Sequence, residues 1–331
     1  MKIAYYEKQG AARDVIQLGG MPQPQAQHGE VVVRVCASGV NPSDVKFRSG
    51  WNDLPLQFPR VVPHNDGAGE IIQVGEGVDK ARIGTRVWIY EAQRGRAFGT
   101  AAEFVVVPEK NTVALPENAS FEIGAALGVP AMTAHRCLFA DGENSHGDIV
   151  GQAILITGGG GAVGNCAIQL AKWRGAIVIA TASRPESLSA AREAGADEVI
   201  NYKTEDVVAR AREIAPRGID HIVDVSFGDN IESSAKLIRN GGVVASYSTE
   251  NNFAPTIPFR ALMSKNATLQ LVLVYTMSAA AHAAAARDIN LALEAGALRP
   301  RIAARFSLDE TAAAHEAVES GELVGKAIVL P

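Results

Sequence analysis

Ala153-Ile154-Leu155-Ile156-Thr157 runs directly into Gly158-Gly159-Gly160-Gly161-Ala162-Val163-Gly164, and the residues from Asn165 to Arg174 then follow a helical pattern. The opening apolar run reads as a strand buried on both faces. Gly159, Gly161 and Gly164 satisfy the spacing G-x-G-x-x-G. In that spacing the first glycine permits a tight turn, the second lets backbone approach a pyrophosphate with no Cβ in the way, and the third lets helix touch strand. The helix start adds free N–H groups and the positive end of its dipole. A glycine-rich turn can also bind nothing, so the flanking pattern decides. A strand before it, a helix after it and repeated strand-helix units downstream predict a dinucleotide site.

Outward from this turn the same grammar continues, with apolar runs at Ile177 to Thr181, Val199 to Ile200, His221 to Val225, Val243 to Tyr247 and Thr268 to Val274. Continuous apolar strands separated by helices predict an α/β fold with a doubly wound parallel sheet. Gly175 and Gly195 stand where helices end, and Pro185 suits the first turn of the next one. Upstream, short Val-rich segments at Glu30 to Cys36, Gly69 to Val74, Arg86 to Tyr90 and Glu103 to Val107 predict a β-rich domain. Downstream, Ser278 to Ala297 reads as one helix, followed by a helix around Asp309 to Ser320 and a strand from Lys326 to Leu330. That tail is too small to stand alone and is expected to pack on the N-terminal β domain, leaving the parallel-sheet unit as a central insertion.

The second strand of the unit ends in Ala180-Thr181-Ala182-Ser183-Arg184. A carboxylate there would grip the 2′-hydroxyl of NAD, and none is present. A small hydroxyl followed by Arg184 fits a 2′-phosphate instead, which predicts NADPH; the alternative is a solvated arginine beside a helix start. Composition bounds the rest. With 331 residues the chain has room for two domains, and 31 Lys plus Arg against 36 Asp plus Glu give a net charge of -5, so no basic field attracts nucleic acid or an anionic membrane. Cys36, Cys137 and Cys166 form no C-x-x-C pair, which indicates neither a disulfide framework nor a thiolate zinc cluster. The start lacks a signal-peptide core and the longest apolar stretch, Leu269 to Tyr275, is too short to span a bilayer, so a cytoplasmic protein is expected.

Several further segments belong together. Val40-Asn41-Pro42-Ser43-Asp44, Val129-Pro130-Ala131-Met132-Thr133-Ala134, the turn ending in Ala162-Val163-Gly164, Ala194-Gly195-Ala196-Asp197 with Ile200-Asn201-Tyr202, and Gly325-Lys326 resemble the quinone oxidoreductase and zeta-crystallin branch of the medium-chain dehydrogenase/reductase superfamily. The resemblance runs over essentially the whole chain. It implies a GroES-like catalytic domain at residues 1–125 and 276–331, a Rossmann domain at 126–275, and a homodimer joined through the last Rossmann strand. It also implies Asn41 near the nicotinamide, Thr133 against the cofactor, Ser183 and Tyr202 around the 2′-phosphate, and Lys326 near the cofactor. With Gly159, Gly161, Ala162, Val163, Gly164, Arg184 and Ser248 these make up the expected cofactor set. Related quinone reductases often carry a Lys where this sequence has Ser187, and Arg184 is the replacement expected.

Zinc-dependent alcohol dehydrogenases of the same superfamily use a Cys, a His-Glu pair and a second Cys. Matched by motif, Asn41 stands at the first position and Asn65-Asp66 at the pair, and the Val129-Pro130 region offers no second Cys. An amide oxygen is a poor zinc ligand beside thiolate and imidazole, so no metal is expected, and His64 reads as a loop residue. Without a Lewis acid to polarise an alcohol, the expected chemistry is hydride delivery to an acceptor that is already electron-poor. Quinones lead, with enones, alkenals or enoyl thioesters as the enzymatic alternative. A non-catalytic NADPH-binding or RNA-binding crystallin-like protein is the alternative from another class, and the acidic balance counts against RNA. Asn41, Asp44 and His135 are the catalytic candidates, with Asn65 and Asp66 beside them. Asp44 either acts on substrate or caps a short helix, His135 either donates a proton to an enolate or packs, and Trp51 either walls a ring or fills core.

Overall fold

In the computed structural model, which describes residues 1–139 and 149–331, the valine alternation of the first segment becomes strand β3. The chain separates into two units, residues 1–129 with 300–331, and residues 130–299. In the first, β1 (Lys2–Tyr5) and β2 (Gln17–Gly20) form a two-stranded ribbon, and β3 (Glu30–Val40), β4 (Asp66–Val74), β5 (Arg86–Ile89), β6 (Phe104–Pro108) and β7 (Thr112–Ala114) pair antiparallel. Val31, Val33, Val35, Ile71, Val87, Ile89, Val105 and Val107 close one core, the period-two face of these strands.

The second unit carries β8 (Ala153–Ile156), β9 (Ile177–Ala182), β10 (Glu198–Asn201), β11 (Ile219–Asp224), β12 (Ile238–Ser246) and β13 (Thr268–Leu271). Their order is β10-β9-β8-β11-β12-β13 and every pair is parallel, the two-half winding in which the first strand lies beside the fourth. Leu155, Ile179, Ile200, Ile222 and Val244 are buried in one shared core. Local chemistry bounds the helices between them. Pro185 occupies the first turn of Pro185–Glu193, Asp206 accepts from Val208 and Ala209 N–H at the start of Val207–Ile214, and Gly175 and Gly195 take φ +80 and +101 beyond two helix ends.

The expected tail divides differently. Helix Ala279–Glu294 stays with residues 130–299, so that unit ends at residue 299 and not at 275. The reason is chemical as well as apolar: Asp288 on that helix binds His135 and Arg174, and Ala281, Ala285, Ile289 and Ala292 bury the same face. The strand expected through Val274 stops at Leu271 and a single 3-10 turn, Val274–Thr276, follows. Only from Pro300 does the chain rejoin the first unit, as β14 (Ile302–Ser307), helix Thr311–Glu319 and β15 (Lys326–Leu330). β15 pairs antiparallel with β3, Ala327 opposite Val40. Among the described residues no helix is long and apolar enough to cross a membrane.

The glycine turn is built as expected with one shift. The left-handed residue is Gly158, at φ +70, one position before the glycine to which the spacing assigned the tight turn. Gly159 instead packs against Ala180, Ala191 and Ile168, and a Cβ on Gly164 would lie 2.3 Å from the Gly158 carbonyl oxygen. A Cβ on Gly161 would meet that oxygen at an ordinary 3.4 Å. Gly164→Ala should therefore destabilise the protein by about 1–3 kcal/mol through overpacking, whereas Gly161→Ala should leave the unfolding free energy near that of the parent. Urea unfolding of the two variants checks this; equal losses would mean that the turn is uniformly tight.

Candidate functional site

Helix Ala162–Trp173 begins at Gly161 with no side-chain cap, so the turn presents N-terminal N–H groups at the carboxyl edge of the parallel sheet. At the end of β9, Ser183 Oγ donates to Tyr202 OH at 3.0 Å, bringing together two hydroxyls nineteen residues apart. Arg184 follows Ser183 in chain and sits at the N-cap of helix Pro185–Glu193. Ser187 lies under the turn, its Cβ 2.6 Å from where a Cβ on Gly160 would stand. Ser248 follows β12, and its Oγ donates to Glu250 at 3.2 Å. Thr133 is buried on helix Gly128–Leu138.

The first unit holds a buried polar cluster. Asn41, Asp44, Asn65, Asp66 and Lys326 are all 3% exposed or less. Asp66 Oδ2 accepts from Asn41 Nδ2 at 2.8 Å and from Lys326 Nζ at 2.9 Å, while its Oδ1 accepts the Val129 N–H at 2.9 Å. Lys326 Nζ also donates to Asn41 Oδ1. Asp44, in the first turn of helix Pro42–Ser49, accepts the Asn41 N–H at 2.8 Å and Asn65 Nδ2 at 3.0 Å. So Asp44 does cap the helix, and it does so inside the cluster.

His64 is no ordinary loop residue. It is fully buried, takes φ +81, and contacts Ser38 Oγ through Nδ1 at 2.8 Å and His315 Nε2 through Nε2 at 2.9 Å. His315, Ser38 and Thr100 went unnoticed in the sequence; a contact across 251 residues leaves no periodic trace. His135 lies in the second unit, with Nε2 3.1 Å from Asp288 Oδ2 and its ring 4.8 Å from that of Phe139. Trp51 is 38% exposed with Lys46 Nζ 4.9 Å over its ring, which removes the core-filler alternative.

The family profile of the alcohol dehydrogenase GroES-like domain matches residues 27–117, and that of the zinc-binding dehydrogenase matches residues 162–289. Quinone oxidoreductase of Rattus norvegicus is 31% identical over 312 residues, 94% of this chain and 91% of the rat protein. The chain belongs to the quinone oxidoreductase branch of the medium-chain dehydrogenase/reductase superfamily. A solved mycobacterial structure complexed with NADPH matches this branch member with a TM-score of 0.85 at 26% identity, covering all of both chains. A crystal structure of an NAD-dependent alcohol dehydrogenase matches it with a TM-score of 0.87 at 29% identity, again over both whole chains.

Electrostatics in this branch member's buried cluster follow from two carboxyls sharing one lysine. Burial pushes the Asp44 carboxyl up to about 7, and neighbouring Asp66 adds to the rise, against the opposing pull of Lys326 and the hydrogen bonds from Asn41 and Asn65. Burial also holds His64 well below its ordinary range and lowers His315 to about 3, with like-charge neighbours adding to both. The pH consequences oppose one another. Between the ordinary 3.8 and about 7 folded Asp44 binds more protons than the unfolded chain, so its contribution to stability falls as pH rises. Below 6.5 the unfolded histidines gain protons that the folded pair refuses, so their contribution falls as pH drops. Asp44→Asn removes only the first effect. The melting-temperature difference, variant minus parent, should be more positive at about pH 8 than at about pH 5; the same difference at both would show that Asp44 does not hold a proton in the folded state.

Proposed function

We propose that this chain transfers hydride from NADPH to quinones without zinc. The observation that carries the reading is Lys326, whose Nζ bonds both Asn41 and Asp66. Those two residues stand where the superfamily's zinc enzymes place ligands, and a buried ammonium between them opposes a second cation in the same place. Neither His64 nitrogen is spare, since Ser38 and His315 engage both. The donor set therefore does not fit zinc, although one matching family profile is named for it.

The cofactor reading rests on the carboxyl edge of the parallel sheet. The uncapped helix start at Gly161 suits a pyrophosphate, and Ser183, Arg184 and Tyr202 supply two hydroxyls and a cation for a 2′-phosphate. NADPH, when bound, supplies the hydride. Ala162, Val163 and Gly164 would donate backbone N–H groups to it, and the resemblance implies Asn41 near the nicotinamide and Thr133 against the cofactor, with Ser248 in the same set. Lys326 commits two of its three N–H groups within the cluster, leaving one to polarise an acceptor's carbonyl oxygen. A quinone asks little more of the protein than orientation and a donor.

A homodimer through β13 belongs to the same reading. β13 is a sheet edge; Leu271 at its end and Leu273 just beyond it are 74% and 55% exposed, with Phe259 and Met263 exposed on the preceding helix. An edge strand with exposed leucines at its end invites pairing with a second copy.

The purified protein should oxidise NADPH with simple quinones in the presence of a strong chelator, and faster than it oxidises any alcohol with NADP. Inert quinones beside robust alcohol oxidation would sink the assignment. Removing one charge-assisted bond costs about 1.5–3 kcal/mol, so Arg184→Ala should weaken NADPH roughly ten- to a hundredfold and leave NADH almost unchanged. Equal weakening of both in a binding titration would mean that Arg184 supports the fold. For assembly, light scattering should give a dimer for the parent and a monomer for Leu271→Lys; a monomeric parent would exclude the β13 interface.

A further inference from the structure

We propose that His315 and His64 are positioning residues, the head of a one-way chain of hydrogen bonds that runs from helix Thr311–Glu319 to the backbone carbonyl of Asp66 and holds Asn65 and Asp66 in the buried cluster. The direction of every bond follows from its far end. A carbonyl oxygen only accepts, so Thr100 Oγ1, 2.6 Å from the Asp66 carbonyl oxygen, spends its single proton there. Ser38 Oγ, 2.7 Å from Thr100 Oγ1, must then be the donor of that pair. With its own proton spent, Ser38 can only accept from His64, which therefore carries its proton on Nδ1. Burial keeps both rings neutral, so His64 Nε2 is bare and accepts from His315 Nε2–H across 2.9 Å. His315 Nδ1 must then be a bare lone pair, and among the described residues it is indeed the one ring nitrogen of the pair with no hydrogen-bond partner.

The chain acts where the backbone is forced. His64 is a non-glycine residue at φ +81, immediately before Asn65 and Asp66, and its carbonyl is pinned by the Thr100 N–H at 3.1 Å. Thr100 thus grips the segment on both sides, through His64 and through Asp66. Asp66 in turn orients Asn41 and Lys326. Losing the donor on His315 would free the His64 ring, and with it the orientation of the carboxylate two residues later.

The effect on turnover rests on the proposed quinone reduction, but the proton positions do not. Nitrogen-15 spectra of the histidine-labelled full chain at neutral pH, assigned through single variants, should show His64 protonated on Nδ1 and His315 on Nε2; His64 protonated on Nε2 would overturn the proposal. His315→Phe keeps a ring against His64 and removes the donor, while His315→Gln keeps an N–H. Misplacement of reacting groups is costly, so His315→Phe should lower kcat for quinone reduction about tenfold or more with the NADPH KM almost unchanged. It should also move the carbon-13 signal of the Asp66 carboxyl, and His315→Gln should recover most of both. If the parent reduces no quinone, the proposed function fails, and the nitrogen and carbon signals still decide the positioning role. Should His315→Phe not fold, Ser38→Ala cuts the chain one link on and should move the same Asp66 signal. A folded variant with an unmoved Asp66 signal and unchanged kcat would overturn it, as would glutamine failing to recover either.

Discussion

Lys326 and Asp66 meet at 2.9 Å with 3% and 0% of their side chains exposed, and the geometry of the first unit is arranged around that contact. A buried ion pair is not itself a strong source of stability, because desolvating both charges offsets most of their attraction, whereas removing one partner strands the other at a cost of about 3–5 kcal/mol. The chain must therefore deliver both residues together. Asp66 begins β4 and Lys326 begins β15, and both strands pair with β3, so β3 sets their separation. That requirement explains why the last thirty or so residues return to the first unit although the preceding helix does not.

The cluster is asymmetric in charge. Asp44 and Asp66 share one lysine, and the structure resolves the excess by favouring a proton on Asp44, where burial and Asp66 act together. Asn41 and Asn65 then serve as neutral spacers: one amide bridges Lys326 and Asp66, and the other reaches Asp44. Replacing either amide by a thiolate would add a negative charge to a cluster whose two carboxyls already outnumber its one lysine.

What was legible in the sequence was what repeats locally. The parallel strands, their helices, the glycine turn and the closing strand Lys326–Leu330 all follow from runs, caps and spacings a few residues long. Junctions were less visible. The Ala-rich helix Ala279–Glu294 carries no mark in its own sequence of which unit it joins, because that depends on Asp288 meeting His135 across 153 residues. Asn41 and Asp44 stood out by motif, and Lys326 by resemblance. Their mutual contacts, and His315 entirely, did not, since single polar residues buried far apart in sequence have no period to betray them.

The strain at His64 shows how such invisible contacts control the visible ones. A non-glycine residue in the left-handed region costs about 1–3 kcal/mol and persists only where its surroundings over-determine it. Hydrogen bonds contribute about 0.5–1.5 kcal/mol each, so the single link from His64 to Ser38 does not reliably offset that cost. The four links from His315 to the Asp66 carbonyl, with the Thr100 N–H on the His64 carbonyl, do so together. The turn that presents Asn65 and Asp66 is therefore not a local preference of its own sequence. It is held by a helix some 250 residues away, and the polar interior of the first unit is the means by which the end of the chain shapes the site near its beginning.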